Sequence, residues 1–305
     1  MEASLSEEAK HSQEREQFLE TLSDKDRAAT IELEKLAHDH LDEHHPHISK
    51  KHFYLEIEGL HRLVLARDHK IPKSFEMWQK WLNWRLEYKV EEITKESLKF
   101  QFESRKAFWY GVDKKGHPCL IIRTGRHFPD KERHQEMVQF SIYLIEEGSN
   151  LADQLGVGKV CVIYDRNGFT SANKDSSLMS LMKRIVSMMQ DYYAERLSDV
   201  YVLHTNWFYW LVWNIIKPFL AKKTKEKIHI MSKPEDLLEH FDADMLSTEY
   251  GGDNTWEYEY PNCYDYGTLI DKVNGKTDDE DLVKPGSVDV NLVRDSNEET
   301  RCEPQ

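Results

Sequence analysis

The sequence predicts an α/β protein, a mainly parallel sheet with crossover helices, preceded by a small all-helical unit. Three observations predict it. Short apolar runs rich in β-branched residues, KVCVIYD, DVYVLHTN and KIHIMS, have the length and composition of strands buried on both faces. Amphipathic segments of helical period separate them. The alternation of the two argues for crossover connections and hence a parallel sheet.

Taken in order, residues 1–23 are polar and predict a frayed segment. Residues 24–98 predict a helical unit. It opens with a helix near 24–43 that carries a thin stripe, Leu33, Leu36 and Leu41. A stretch with His38, His40, His44, His45, His47 and His52 follows. It reads as a solvated loop, with His40 and His44 on one helical face as a possible metal pair. Leu60, Leu63 and Val64 repeat at helical spacing up to the break at Ile71-Pro72. The next helix places Phe75, Trp78, Trp81 and Leu82 on one face, with Arg85 and Lys89 opposite.

Residues 99–260 predict the α/β domain. KAFWYGVDKKGHPCLIIRTG reads as two strands joined by the turn Asp113–Gly116. A helix with Met137, Phe140, Leu144 and Leu151 leads through LGVGKV, read as the tight turn entering a strand, to the run Val160–Asp165. A helix with Leu178, Leu181, Ile185 and Met189 comes next, then the strand ending near His204, read as a hydrogen-bonded core histidine. From about 262 the periodicity is lost, and residues 261–305 predict a disordered acidic tail.

Bulk properties exclude several functions. A net charge of −14 disfavours nucleic acid as a partner. Cys119, Cys161, Cys263 and Cys302 stand far apart, without metal or redox spacing, and read as reduced thiols. No GxSxG, GxxxxGK[ST], GxGxxG or CxxC motif is present, so neither catalysis nor a bound cofactor is expected. No run reaches 18 apolar residues and no apolar signal region opens the chain, so a cytoplasmic protein is expected.

One segment stands apart. Asn206 can cap a helix and Pro218 can end it. Between them lie Trp207, Phe208, Tyr209, Trp210, Leu211, Val212, Trp213, Ile215 and Ile216, with Phe219 just beyond. The helix is too short to span a bilayer and too apolar to face water. It reads as a buried core helix, a partner-binding helix, or the mobile wall of an apolar cavity that dips into a membrane interface. The basic run KKTKEK follows it.

FWYGVDKKGHPCLII, VIYDRNGFT, the long stretch YYAERLSDVYVLHTNWFYWLVWNIIKPFLAKKTKEKI and EYGGD together resemble the CRAL-TRIO lipid-exchange family, and its fungal-type phosphatidylinositol transfer proteins in particular. The resemblance covers roughly residues 55–255. It implies a large apolar lipid pocket closed by a helical gate formed by Trp207, Phe208, Trp210, Leu211, Trp213, Ile216, Pro218 and Phe219. It also implies a phosphatidylinositol headgroup held by Arg67 (in LARDHK), Glu195 (in YAERL), and Thr224 and Lys227 (in KKTKEKI). A monomeric carrier that visits membranes, exchanges phosphatidylinositol for a second hydrophobic ligand and supplies lipid kinases is the implied function. The family's choline-lipid members place Ser-x-Thr where Val160 and Val162 stand here. That departure points to a different second ligand: another lipid, a sterol, a tocopherol-like molecule or haem. A lipid-sensing scaffold is the remaining alternative.

Overall fold

The computed structural model describes residues 2–48, 55–173, 178–193 and 195–273. The chain forms two units, Met1–Glu91 with Met188–Glu195, and Glu92–Ser187 with Arg196–Gln305. The tail beyond Val273, Cys302, His52 and the side chains of Leu178 and Leu181 lie outside the described residues.

The first unit holds helices α1 (Glu2–Thr21), α2 (Asp24–His44), α3 (Ile57–Ala66) and α4 (Ile71–Tyr88), of which α2, α3 and α4 share one core. The expected frayed start is instead helical. Leu19 is buried, and Arg15 Nε and Nη2 donate to the Glu34 carboxylate at 2.7 and 2.5 Å, which anchors α1 to α2. Ser23 Oγ accepts from the Asp26 amide at 3.2 Å and caps α2. Leu33, Ala37 and Leu41, one turn apart, meet Leu60, Leu63 and Val64 of α3 and Met77, Trp78 and Leu82 of α4. Each fully buried large side chain contributes about 1.5–3 kcal/mol.

Two expectations fail in this unit. Arg85 does not face solvent. It is 2% exposed, donates from Nε to Glu91 at 2.9 Å and lies over the Trp81 ring. A partner remote in sequence also meets α4 beside it: Tyr192 stacks on Trp84 at 4.5 Å between centroids. His38, His40 and His44 belong to α2 rather than to a solvated loop. The His40 and His44 rings do adjoin, 4.4 Å apart, but among the described residues no group of three ligands could hold a metal.

The second unit begins with α5 (Lys99–Glu103) and the hairpin β1 (Ala107–Val112) and β2 (Pro118–Arg123). Then follow α6 (His134–Gln154), β3 (Val160–Asp165), α7 (Leu178–Tyr192), β4 (Leu197–Leu203), α8 (Trp207–Ile216), α9 (Lys222–Glu226), β5 (Ile228–Ile230) and α10 (Gly267–Val273). LGVGKV is a turn as expected, with Gly156 and Gly158 at φ 68° and 62°. Strand order is β1-β2-β3-β4-β5, antiparallel at β1·β2 and parallel thereafter. An order that always advances to the same side, with right-handed crossovers, places all the connecting helices on one face.

Register fixes which side chains share that face. Leu120 and Ile122 of β2, Val162 and Tyr164 of β3, Val200 and Val202 of β4, and Ile228 and Ile230 of β5 are paired in two rows. On the opposite face, Cys119 and Cys161 pair in register, both buried and reduced. Tyr201 packs there on Phe241, and Phe108 stacks on Tyr258 at 4.6 Å. This second face is covered by residues 234–273. The expected disorder from 261 therefore begins too early: Tyr264 and Tyr266 are buried, and Tyr266 donates to the Gly111 carbonyl at 2.9 Å. β3 also differs from expectation, because Val162 and Tyr164 are only half-buried.

Against β1, α6 packs closely. Trp109 Nε1 donates to the Leu144 carbonyl at 3.0 Å, and its ring fills the space where a Gly148 side chain would stand. Gly148→Ala should therefore destabilise the second unit by about 1–3 kcal/mol, read as a lower denaturant midpoint.

Candidate functional site

α8 is apolar on two sides and buries only one. Its start is fixed by Asn206, whose Oδ1 accepts from the Tyr209 amide at 3.1 Å. A tight turn with Pro218 ends it. Tyr209 and Ile216 are buried, with Val212 and Trp213 half-buried between them. These positions lie three and four apart, the spacing of one helical stripe. Outward, Trp207 is 73% exposed, Leu211 51% and Trp210 46%, joined by Ile215 and, past Pro218, by Phe219. The Phe208 side chain lies outside the described ones. Lys183 Nζ stands over the Phe219 ring at 4.8 Å. Exposed Lys217, Lys222 and Lys223 flank the patch with positive charge. A contiguous apolar patch rimmed by cations suits an interface with anionic headgroups.

Beneath α8 lies the half-exposed face of the sheet. Ile122, Val162, Tyr164, Val200 and Ile228 keep accessible surface although helices cover that side. Tyr164 shows what this means. Burial pushes its phenol pKa up, with the nearby Arg166 charge opposing the rise, so protein surrounds the ring. Yet Tyr164 is only half-buried. Both hold if Tyr164 borders an internal hollow. Tyr209 comes down from α8 toward it, and burial, then the neighbouring Tyr164, lift its phenol to about 12.

The four expected headgroup residues divide between the units. Arg67 ends α3, and its Nη1 donates to the Ala66 carbonyl at 3.2 Å. Glu195, at φ 60°, closes the segment that belongs with the first unit. Thr224 and Lys227 come together in the second unit. The Lys227 amide donates to the Thr224 carbonyl at 3.3 Å, and Lys227 Nζ donates to the Leu197 carbonyl where β4 begins. Val160 is buried and Val162 is half-buried, so both positions present methyl groups and no hydroxyl.

At the other ends of β3 and β4, Asp165 collects hydrogen bonds. Its Oδ1 meets His204 Nδ1 and the Asn167 amide, both at 2.8 Å, and its Oδ2 accepts from Tyr250 Oη at 3.1 Å. His204, at φ 52°, is thus hydrogen-bonded as expected but exposed rather than core. Beside it, Arg166 is buried under Tyr209. Sequence reasoning passed over Asp165 and Arg166. The available signal was a charged pair at the carboxyl end of a parallel strand, where open α/β sheets bind ligands.

Residues 102–252 match the sequence profile of the CRAL/TRIO domain, and the chain carries that domain. Among curated relatives, Patellin-6 of Arabidopsis thaliana is 28% identical over 63% of this chain and 49% of its own length. The phosphatidylinositol/phosphatidylcholine transfer protein SFH7 of Arabidopsis thaliana is 27% identical over 73% of this chain and 43% of its own. The phosphatidylinositol transfer protein CSR1 of Eremothecium gossypii is 28% identical over 65% and 47%. The chain thus spans about half or less of the curated relatives it matches. A crystal structure of Sfh5 has the same fold, with a TM-score of 0.63, 17% identity, and coverage of 83% of this chain and 97% of that one.

Asn206 carries the start of α8. Replacing it with Ala should cost the helix about 1 kcal/mol, seen as roughly fivefold faster hydrogen exchange at the α8 amides.

Proposed function

We infer that this protein is a carrier that holds one phospholipid, phosphatidylinositol, in the hollow beneath α8 and exchanges it at membrane surfaces. The observation that carries this reading is the apolar sheet face left half-exposed under a helix whose other side is aromatic and open to water. Two fatty chains fit such a face. Each buried methylene contributes about 0.8 kcal/mol. A headgroup brought along without polar partners would oppose that gain. Thr224 and Lys227 supply a hydroxyl and a cation at the start of β5, and the resemblance adds Glu195 and Arg67 to the set. The process needs no covalent step. α8 swings outward at a bilayer, with Trp207, Trp210 and Phe219 entering the interface, where amphipathic rings are favoured. Among the described residues no helix is long and apolar enough to cross a membrane, so contact through this patch is the mode of attachment proposed. A monomer working in the cytoplasm and passing inositol lipid to lipid kinases is the setting this reading implies. That the relatives SFH7 and CSR1 are phosphatidylinositol transfer proteins supports the lipid class.

Lys227→Ala should lower phosphatidylinositol transfer between vesicles about tenfold or more, with circular dichroism unchanged. Unchanged transfer defeats the headgroup assignment. Joint replacement of Trp207 and Trp210 by Ala should weaken sedimentation with anionic vesicles by about tenfold or more. Equal sedimentation removes α8 as the membrane contact.

A further inference from the structure

Arg166 has no task in that reading, and its surroundings are unusual. It directly follows β3 and is 5% exposed. Its guanidinium carbon stands 4.4 Å from the Phe169 ring centre and 5.7 Å from that of Tyr209. Nη2 reaches Asn206 Oδ1 at 3.5 Å, the outer limit of a hydrogen bond, and that oxygen already accepts from the Tyr209 amide. Nε is buried and has no acceptor. The carboxylate next to it in the chain, Asp165, is engaged by His204, Asn167 and Tyr250 instead. Among the described residues, no acidic side chain forms an ion pair with Arg166.

A guanidinium cannot shed its proton, so it cannot answer burial by becoming neutral. A buried charge without a counter-charge is strongly unfavourable. Ring faces, the neutral Tyr164 hydroxyl and one shared amide oxygen are dipoles without a full negative charge, and they compensate only part of it. The site therefore calls for an oxyanion from outside the chain, and a guanidinium fork matches carboxylate or phosphate geometry.

Its position says how such a ligand lies. Thr224 and Lys227 sit where the parallel strands begin, whereas Arg166 sits where β3 ends. Six residues of strand at about 3.3 Å each separate the two poles by roughly 20 Å. The rows Leu120/Val162/Val200/Ile228 and Ile122/Tyr164/Val202/Ile230 run between them.

We propose that Arg166 anchors the oxyanion of a second ligand, an acidic amphiphile, which lies in the same hollow with its polarity reversed relative to phosphatidylinositol. This rests on the carrier reading and names the chemistry of the exchange partner, a lipid carboxylate or phosphate held at the carboxyl end of β3.

The test is lipid loading of the full chain. Wild type, Arg166→Gln and Asn206→Asp are incubated with phosphatidylcholine vesicles containing oleic acid, phosphatidic acid, phosphatidylinositol and dioleoylglycerol, re-isolated, and weighed by native mass spectrometry with lipid extraction. Asp keeps the cap of α8 while placing a carboxylate against Arg166, so it removes the call for an anion without truncating the arginine. The wild type should carry oleic or phosphatidic acid. Both variants should lose that acid relative to dioleoylglycerol about tenfold or more, and keep phosphatidylinositol. Loss confined to oleic acid assigns a carboxylate, and loss confined to phosphatidic acid a phosphate. Wild-type ratios in both variants overturn the anchor, as does an equal loss of all four lipids, which marks Arg166 as a prop for the wall. A wild type that carries phosphatidylinositol or dioleoylglycerol but no acid overturns the anchor alone. One that carries no lipid overturns the carrier reading and this inference with it.

Discussion

A parallel sheet has to be covered on both faces, and here the two covers differ in kind. Residues 234–273 seal one face with close aromatic contacts, such as Tyr258 on Phe108 and Phe241 on Tyr201. On the other face the cover is looser, and Val162, Tyr164 and Val200 are only half-buried. Interiors are normally as dense as organic crystals. An unfilled apolar face forfeits dispersion contacts along its whole length. The rest of the second unit follows from that deficit. On the proposed carrier reading, the space beneath α8 takes an apolar occupant, the occupant needs polar partners at its head, and the roof must be able to part.

The roof meets the last requirement through an unresolved conflict of its own. α8 has more apolar surface than one buried stripe can use. Tyr209 and Ile216 turn inward while Trp207, Trp210 and Leu211 stay in water. A helix with a buried stripe and a polar back would be held shut by the hydrophobic effect. On the proposed reading, the outer side of α8 gains its own apolar partner at a bilayer, so opening exchanges one apolar environment for another.

Much of this was legible in the chain. The strand runs, the hairpin turn at Asp113–Gly116, the Asn206 cap and the Pro218 stop are local signals, and the structure bears out the fold class they imply. What could not be read was decided by remote neighbours. Arg85 follows a helical pattern that points it to solvent, but Glu91, just past the helix, and the Trp81 ring take it up, while Tyr192 and Tyr193, a hundred residues on, cover the neighbouring Trp84. Residues 262–273 have no periodicity because Tyr264 and Tyr266 dock one by one onto β1 rather than as a stripe. The hollow itself is illegible, since a strand that lines a cavity and a strand that meets a packed helix carry the same apolar residues. Arg166 went unnoticed for a similar reason: a basic residue after a strand reads as a solvated turn until its burial is known.

Asp165 draws together parts of the chain made at very different times. Through His204 it holds the strand exit that leads into α8, and through Tyr250 it holds the closing turn. Synthesis proceeds from the amino end, so α8 leaves the ribosome well before Tyr250 can reach its place. For that interval the His204–Asp165 pair alone roots the most apolar stretch of the polypeptide, and its open indole rings are available to whatever surface is nearest. Nascent chains of this protein are thus adhesive at a stage when the closing turn around Tyr250 has yet to dock on Asp165.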